Sequence, residues 1–270
     1  MAKLKIGIIG LGLIGGSIEK RLALKPDNYE LLCVSKSQNK EYQLADLANV
    51  DILFLCAEQT TIIKQLEEIA QIISSSGKEG TVAHEARAFA NTIITDCAST
   101  KNKIAIKAAE LGLNNFIAGH PMAGTEKQGY EASFAELFEG AKWILEKPNS
   151  KIEQVINDLG ANLVLLDPET HDRAVAITSH LPLVLSLALA NLSDSFAPSK
   201  ASRGPGYASM TRLASGNAKL GREMISLNRS NIRASWEIYK QEVDLLLNIY
   251  GDELETEINE IAQNISTKAV

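Results

Sequence analysis

One histidine stands between a glycine and a proline in the run Ile117-Ala118-Gly119-His120-Pro121-Met122-Ala123-Gly124-Thr125-Glu126. Glycine lets backbone and ligand come close, and proline fixes the turn just past the ring. A histidine presented this way, off the end of an apolar run, can take or give a proton near neutral pH. A plain turn histidine fits the same residues, so two further stretches carry the decision. Gly10-Leu11-Gly12-Leu13-Ile14-Gly15 has the Gly-x-Gly-x-x-Gly spacing of a phosphate-binding turn. Thr95-Asp96-Cys97-Ala98-Ser99-Thr100-Lys101 places Ser99 where an apolar run hands over to a helical pattern. That serine is a helix cap, a site hydroxyl, or both.

The elements around these residues set their geometry. Residues 4–9 read as a buried strand, 17–24 as a helix stopped before Pro26, and 30–34 as a second strand. Strand, glycine turn, helix and strand is the context in which the motif binds a dinucleotide. Gly10 makes the tight turn, Gly12 admits a pyrophosphate, and Gly15 lets the helix pack on the strand. The helix start, Leu13 and Ile14 included, offers unpaired N–H groups to the phosphates. An NAD site calls for an acidic residue at the end of the second strand. Here stand Ser35, Lys36 and Ser37 instead, which points to NADP, with NAD as the less favoured cofactor. Cys56 closes a third strand at 51–56 and joins the cofactor-facing set.

The rest of the chain falls into two parts. Further strands are expected at 91–95, 116–118 (ending on His120), 142–146 and 162–166, with helices at 58–73, 102–111 and 151–159 and a loop with a short helix over 74–90. After Asp167 the strand pattern stops. A helix opens on Pro168, 194–205 reads as a linker, 220–250 as one long helix and 252–265 as a last one. The expected fold is α/β: a Rossmann-type dinucleotide-binding domain at 1–167, then an all-α dimerisation domain at 168–270. Apolar helices in so small a helical unit call for a second subunit, hence a homodimer.

Composition narrows the function classes. The 270 residues carry a net charge of -6 and 45% hydrophobic residues, a poor match to a nucleic-acid surface. The longest apolar run, around residues 181–192, is interrupted by Pro182, Ser186 and Asn191, so no membrane association is expected. Cys33, Cys56 and Cys97 are odd in number and widely spaced, which suits thiols in a reducing cytoplasm and no metal site.

Taken together, residues 10–17, 96–101 and 119–126, His171-Asp172 with 179–182, and 206–217 resemble the prephenate/arogenate dehydrogenase family of tyrosine biosynthesis. The pieces occur in the family's order and span nearly the whole chain. The resemblance implies oxidative decarboxylation of a cyclohexadienol, its substrate lying in a cleft between the two domains. It assigns His120 the ring hydroxyl and its proton, gives Ser99 a share of that hydroxyl and the orienting of the histidine, and gives Arg212 a substrate carboxylate. Thr125, Ser179 and His180 complete the substrate set, with Arg203 a second carboxylate candidate. His171 and His180 also fit capping or packing roles, and His84 matches no motif. Leu183 stands where many prephenate-type members have a histidine, and Ser209 where an acid is common. Both departures favour arogenate, with prephenate and NAD or NADP as the alternative. Two other readings are a hydroxyacid or imino reductase, which would want a catalytic lysine in the helical part, and a redox-sensing nucleotide-binding protein. The latter has no use for Ser99 and His120 together.

Overall fold

A computed structural model describes residues 2–35, 44–75 and 88–268. Five parallel strands, β1 (Leu4–Ile9), β2 (Tyr29–Val34), β3 (Ile52–Leu55), β4 (Ile93–Asp96) and β5 (Phe116–Ile117), form a sheet in the order β2-β1-β3-β4-β5. Helices α1 (Leu13–Ala23), α2 (Gln59–Ser75) and α3 (Asn102–Glu110) follow β1, β3 and β4. Alternate residues of β3 feed two cores. Ile52 and Phe54 pack with Ile6, Ile8, Ile18, Leu22 and Trp143, while Leu53 and Leu55 pack with Ile62, Leu66, Ile104 and Phe116. Burial on both faces is why these strands read as unbroken apolar runs. The helix expected at 17–24 begins at Leu13 instead, taking Gly15 and Gly16 into its first turns.

The strand expected to run from Phe116 on to His120 is divided. At Ala118 the chain leaves the first sheet. β6 (Gly119–Pro121) pairs antiparallel with β7 (Lys142–Leu145), which pairs parallel with β8 (Asn162–Leu165). Glu146 holds the crossing point from both sides: its N–H donates to the Ala118 carbonyl at 2.9 Å, and its side chain accepts from the Ala118 N–H at 3.1 Å. Between β7 and β8 runs α4 (Ser150–Asp158), capped by the Asn149 side chain.

Everything described beyond β8 is helical. The Asp167 carboxylate caps α5 (Pro168–Val175) by accepting from the Glu169 and Thr170 N–H groups. A π-helical turn, Ala176–His180, joins α5 to α6 (Leu181–Ser195). The resulting run, Pro168–Ser195, is long and apolar enough by length and composition alone to cross a membrane; Pro182, expected to interrupt the apolar run, falls in the first turn of α6 and leaves the helix continuous. The segment expected as a linker contains α7 (Ala197–Ala201), and Arg203 pairs with Asp194 at 2.6 Å. Then come α8 (Pro205–Thr211), a 3-10 turn at Arg212–Ser215, α9 (Ala218–Leu227), α10 (Arg229–Asn248) and α11 (Gly251–Lys268). The single long helix expected at 220–250 is broken at Asn228, whose side chain is drawn inward to the Asp172 carbonyl at 2.7 Å. Leu192, Ile238 and Leu247 lie exposed on these helices, and Tyr250 between α10 and α11.

Candidate active site

The glycine turn is built by close contact on two sides and left open on the third. Gly10 has φ +98°, and a Cβ there would lie 2.4 Å from the Cys56 carbonyl oxygen. A Cβ on Gly15 would fall 2.0 Å from the Gly10 carbonyl oxygen, whereas one on Gly12 would meet nothing within 4 Å. Leu11 is buried beneath the turn, and Leu13 and Ile14 begin α1 half-buried. No side chain caps α1 at Gly12, and no acidic residue occupies its first turn. Open space beside uncapped N–H groups and free of carboxylates fits the pyrophosphate of a dinucleotide. Ser35 lies buried just past β2. Lys36, Ser37 and His84 lie outside the described residues.

The serine stretch and the histidine stretch are tied together by a buried ion pair. Lys101 donates to Asp96 and, at 2.6 Å, to the Gly119 carbonyl. Asp96 accepts from the Ala98 N–H at 3.0 Å and from the Gly119 N–H at 3.2 Å. A Cβ on Gly119 would come within 2.9 Å of the Asp96 carbonyl oxygen, so glycine permits this approach. Ser99 is thereby held, half-buried, at the carboxyl edge of the sheet.

His120 is buried, and its Nδ1 lies 2.9 Å from His171 Nε2. His171 Nδ1 in turn lies 2.8 Å from Asp172 Oδ1. A carboxylate only accepts, so His171 donates from Nδ1. With that ring neutral its Nε2 accepts, and His120 must donate from Nδ1. The lone pair of His120 is then on Nε2, the nitrogen that this pairing leaves for a substrate. Burial holds the His120 ring well below the ordinary histidine pKa, reinforced by the charge of Lys101 and by His171 and His180. The ring is thus held neutral and buried. Burial alone would raise the Asp172 carboxyl, but hydrogen bonds from His171 and from the Asn102 and Lys101 N–H groups bring it down. Those two backbone bonds, at 3.0 and 2.7 Å, are the first N–H groups of α3. One carboxylate from α5 therefore caps a helix of the nucleotide domain and fixes the tautomer of the histidine pair.

His180 is fully buried at the end of the π turn, a local geometry found often at functional sites. Asn228 Nδ2 lies 3.0 Å from its Nδ1, and its Nε2 has no partner among the described residues. Burial pushes its pKa down to about 4. Ser179 is half-buried beside it. Thr125 is exposed and accepts from the Lys127 N–H at 3.2 Å. Arg212 is exposed on its 3-10 turn, and no hydrogen bond or ion pair among the described residues joins it to the histidines. The orienting contact on His120 comes from His171, where sequence reasoning looked to Ser99. Sequence reasoning also missed Asp172, Lys101 and Asn228 as parts of this cluster. The adjacent His171-Asp172 pair just after a capped helix start was the available sign. Farther along the domain junction, Glu223 accepts from the Gln59 N–H at 2.6 Å and Lys219 pairs with Glu58 at 2.5 Å.

Known proteins match along most of this chain. A family model described as the prephenate dehydrogenase nucleotide-binding domain matches residues 32–165, and one described as the prephenate dehydrogenase dimerization domain matches 167–264. The prephenate dehydrogenase of Lactococcus lactis is 27% identical over 259 residues, 89% of this chain and 69% of that protein. The crystal structure of Synechocystis arogenate dehydrogenase, 27% identical, aligns with a TM-score of 0.77 over 98% of this chain and 99% of that one. The prephenate dehydrogenase of A. aeolicus, solved with hydroxyphenyl propionate and NAD+, shares the fold at a TM-score of 0.80 and 22% identity, over 100% of this chain and 98% of that one.

Proposed function

The chain belongs to the prephenate dehydrogenase family, an oxidoreductase family of tyrosine biosynthesis with a nicotinamide dinucleotide cofactor, and from that premise we propose that it converts arogenate to tyrosine with NADP. The observation that carries the reading is the buried relay Asp172–His171–His120, which leaves one neutral imidazole nitrogen for a substrate hydroxyl.

The dinucleotide, when bound along the Gly10–Gly15 turn, supplies the acceptor for two electrons. His120 Nε2 takes the proton of the ring hydroxyl as the carbinol carbon is oxidised. The bond from ring to carboxylate then breaks, carbon dioxide leaves, and the ring becomes aromatic. The proton held by His120 returns to the phenolic oxygen. Ser99 shares the hydroxyl, and the burial of His120 keeps water from it. Arg212 holds a substrate carboxylate, with Thr125, Ser179 and the Nε2 of His180, unpartnered among the described residues, as further polar contacts. Ser35, Lys36 and Ser37 receive the 2′-phosphate, and Leu11, Leu13, Ile14 and Cys56 frame the turn. Leu183, half-buried near Gly221, presents an apolar side chain where many prephenate-type members have a histidine, which supports arogenate.

We place the domain boundary at residues 167 and 168, where Asp167 caps α5, and assign the helical domain to a homodimer interface. The exposed apolar residues of α6, α10 and α11 support that assignment. The deciding experiment is a steady-state assay of arogenate and prephenate against NADP and NAD, on the wild type and on His120→Asn. A preference for arogenate with NADP, and a drop in kcat of about 10²–10⁴ in the variant with dinucleotide affinity intact, is expected. Near-wild-type turnover by the variant would overturn the assignment of His120, and a prephenate preference that of the substrate.

A further inference from the structure

Two of the chain's three cysteines meet directly beneath the glycine turn. Cys56 follows β3 and Cys97 follows β4, and these strands are neighbours with Leu55 opposite Asp96. The ladder continues one step past the strands, because the Cys97 N–H donates to the Leu55 carbonyl at 3.2 Å. The two sulfurs lie 3.6 Å apart, and both residues are half-buried. Neighbouring strands run about 4.8 Å apart, inside the roughly 4.4–6.8 Å between Cα atoms that a disulfide spans. Bond formation therefore needs the side chains to turn toward each other, without remodelling the sheet. A metal-site reading has no support, since no group of three or more His, Cys, Asp or Glu among the described residues could hold an ion.

The position of Cys56 gives such a bond a consequence. Its carbonyl oxygen is the floor under Gly10, and its Cβ would lie 3.1 Å from a Cβ on Gly15. The turn has no slack against this residue, so a pull on Cys56 reaches the phosphate-binding backbone. Cys97, for its part, lies two residues before Ser99 on the same short loop.

We propose that Cys56 and Cys97 form an oxidation site at which a peroxide converts the dithiol to a disulfide that weakens dinucleotide binding, reversibly by thiols. The loss of affinity rests on the dinucleotide reading of the glycine turn; the disulfide itself does not. The chemistry balances with hydrogen peroxide as oxidant. Cys56 sulfur attacks one peroxide oxygen, the O–O bond breaks, and the departing hydroxide takes the thiol proton as water, leaving a sulfenic acid. Cys97 sulfur attacks that sulfur, the S–O bond breaks, and a second water leaves with the Cys97 proton. Two thiols are oxidised and one peroxide is reduced. Burial and the neighbouring Cys56 push the Cys97 thiol up, which disfavours it as the first nucleophile, and its sulfur, 3.6 Å from that of Cys56, is placed for the second attack by proximity.

The test uses the full chain, treated with hydrogen peroxide and then freed of it. Intact mass should fall by about 2 Da, and a non-reducing peptide map should join the Cys56 and Cys97 peptides. The Kd for NADP should rise about tenfold and return on treatment with dithiothreitol. Cys97→Ser should show neither the mass loss nor the peroxide-dependent change in Kd, while Cys33→Ser should show both. Oxygen additions without the mass loss, or a bridge that includes Cys33, would overturn the site. A confirmed Cys56–Cys97 bond with unchanged Kd would overturn its effect on binding. Failure of the reduced protein to bind either dinucleotide would instead count against the function of the turn, with the mass result still deciding the disulfide.

Discussion

His171→Phe removes the acceptor that orients His120 while keeping a flat ring in the same buried place. In the wild type the bond between the two imidazoles is 2.9 Å long and wholly inside the protein. Its loss forfeits a neutral hydrogen bond, worth about 0.5–1.5 kcal/mol net, and frees the His120 ring to rotate and to place its remaining proton on either nitrogen. Together these should lower kcat by about 10–100-fold, or about 1.4–2.8 kcal/mol of barrier. That is less than the ~10²–10⁴ expected for losing the base altogether. The pH profile separates this from general damage. As the proposed proton acceptor His120 must be neutral, and its lowered pKa keeps it so into acid, which on that proposal puts the acid limb of kcat/KM below the ordinary histidine value of 6.5. His171 is one of the groups that depress it, after burial and Lys101. Without His171 the limb should move to higher pH, yet stay below 6.5 because burial and Lys101 remain. His171→Gln, which restores an acceptor oxygen, should recover part of kcat. The assay is steady-state kinetics with arogenate from pH 4.5 upward, with dinucleotide affinity measured in parallel. A kcat within about twofold of wild type and an unmoved acid limb would refute the relay.

Three further outcomes are expected. Gly15→Ala should cut dinucleotide affinity by at least about 100-fold in calorimetric titration, because its Cβ would sit 2.0 Å from the Gly10 carbonyl oxygen; affinity within a few-fold would rule out the packing role of this glycine. His180, neutral and buried with its pKa lowered from 6.5 to about 4, binds its proton more readily in the unfolded chain, so stability should drop by roughly 3 kcal/mol as pH falls from 6.5 to 4. Urea unfolding across that range should show a shallower drop for His180→Gln, and parallel curves would contradict the linkage. The homodimer should give twice the 29.2 kDa chain mass by light scattering, and an active monomer at micromolar concentration would exclude an obligate helical interface.

Much of the nucleotide domain was legible in the sequence because its strands are buried on both faces and its glycines have no alternative. Ile52, Leu53, Phe54 and Leu55 show no alternation, as a central parallel strand should not. The change of sheet at Ala118 was not legible, since Phe116, Ile117 and Ala118 form one apolar run and the break is imposed by Glu146, 28 residues later. The histidine relay was hidden for a similar reason. His171 and His180 are nine residues apart, which on a regular α-helix puts them on opposite sides, about 180° apart. The π turn between them changes that phase. Asn228, far away in sequence, then bonds to the carbonyl of Asp172 and to His180, and the same bonds break the long helix. Side-chain partners of this kind leave no period for a sequence pattern to reveal.

The starts of α1, α2 and α3 all face the carboxyl edge of the same sheet, and each of these poles would ordinarily attract an anion. Two of them already carry negative charge from the helical domain: Glu223 at Gln59 on α2, and Asp172 at Lys101 and Asn102 on α3. The pole at Gly12 carries none. A phosphorylated ligand moving along that edge is thus disfavoured at two berths and favoured at the third, so carboxylates of the helical domain single out the pole at Gly12 for the phosphates of a dinucleotide.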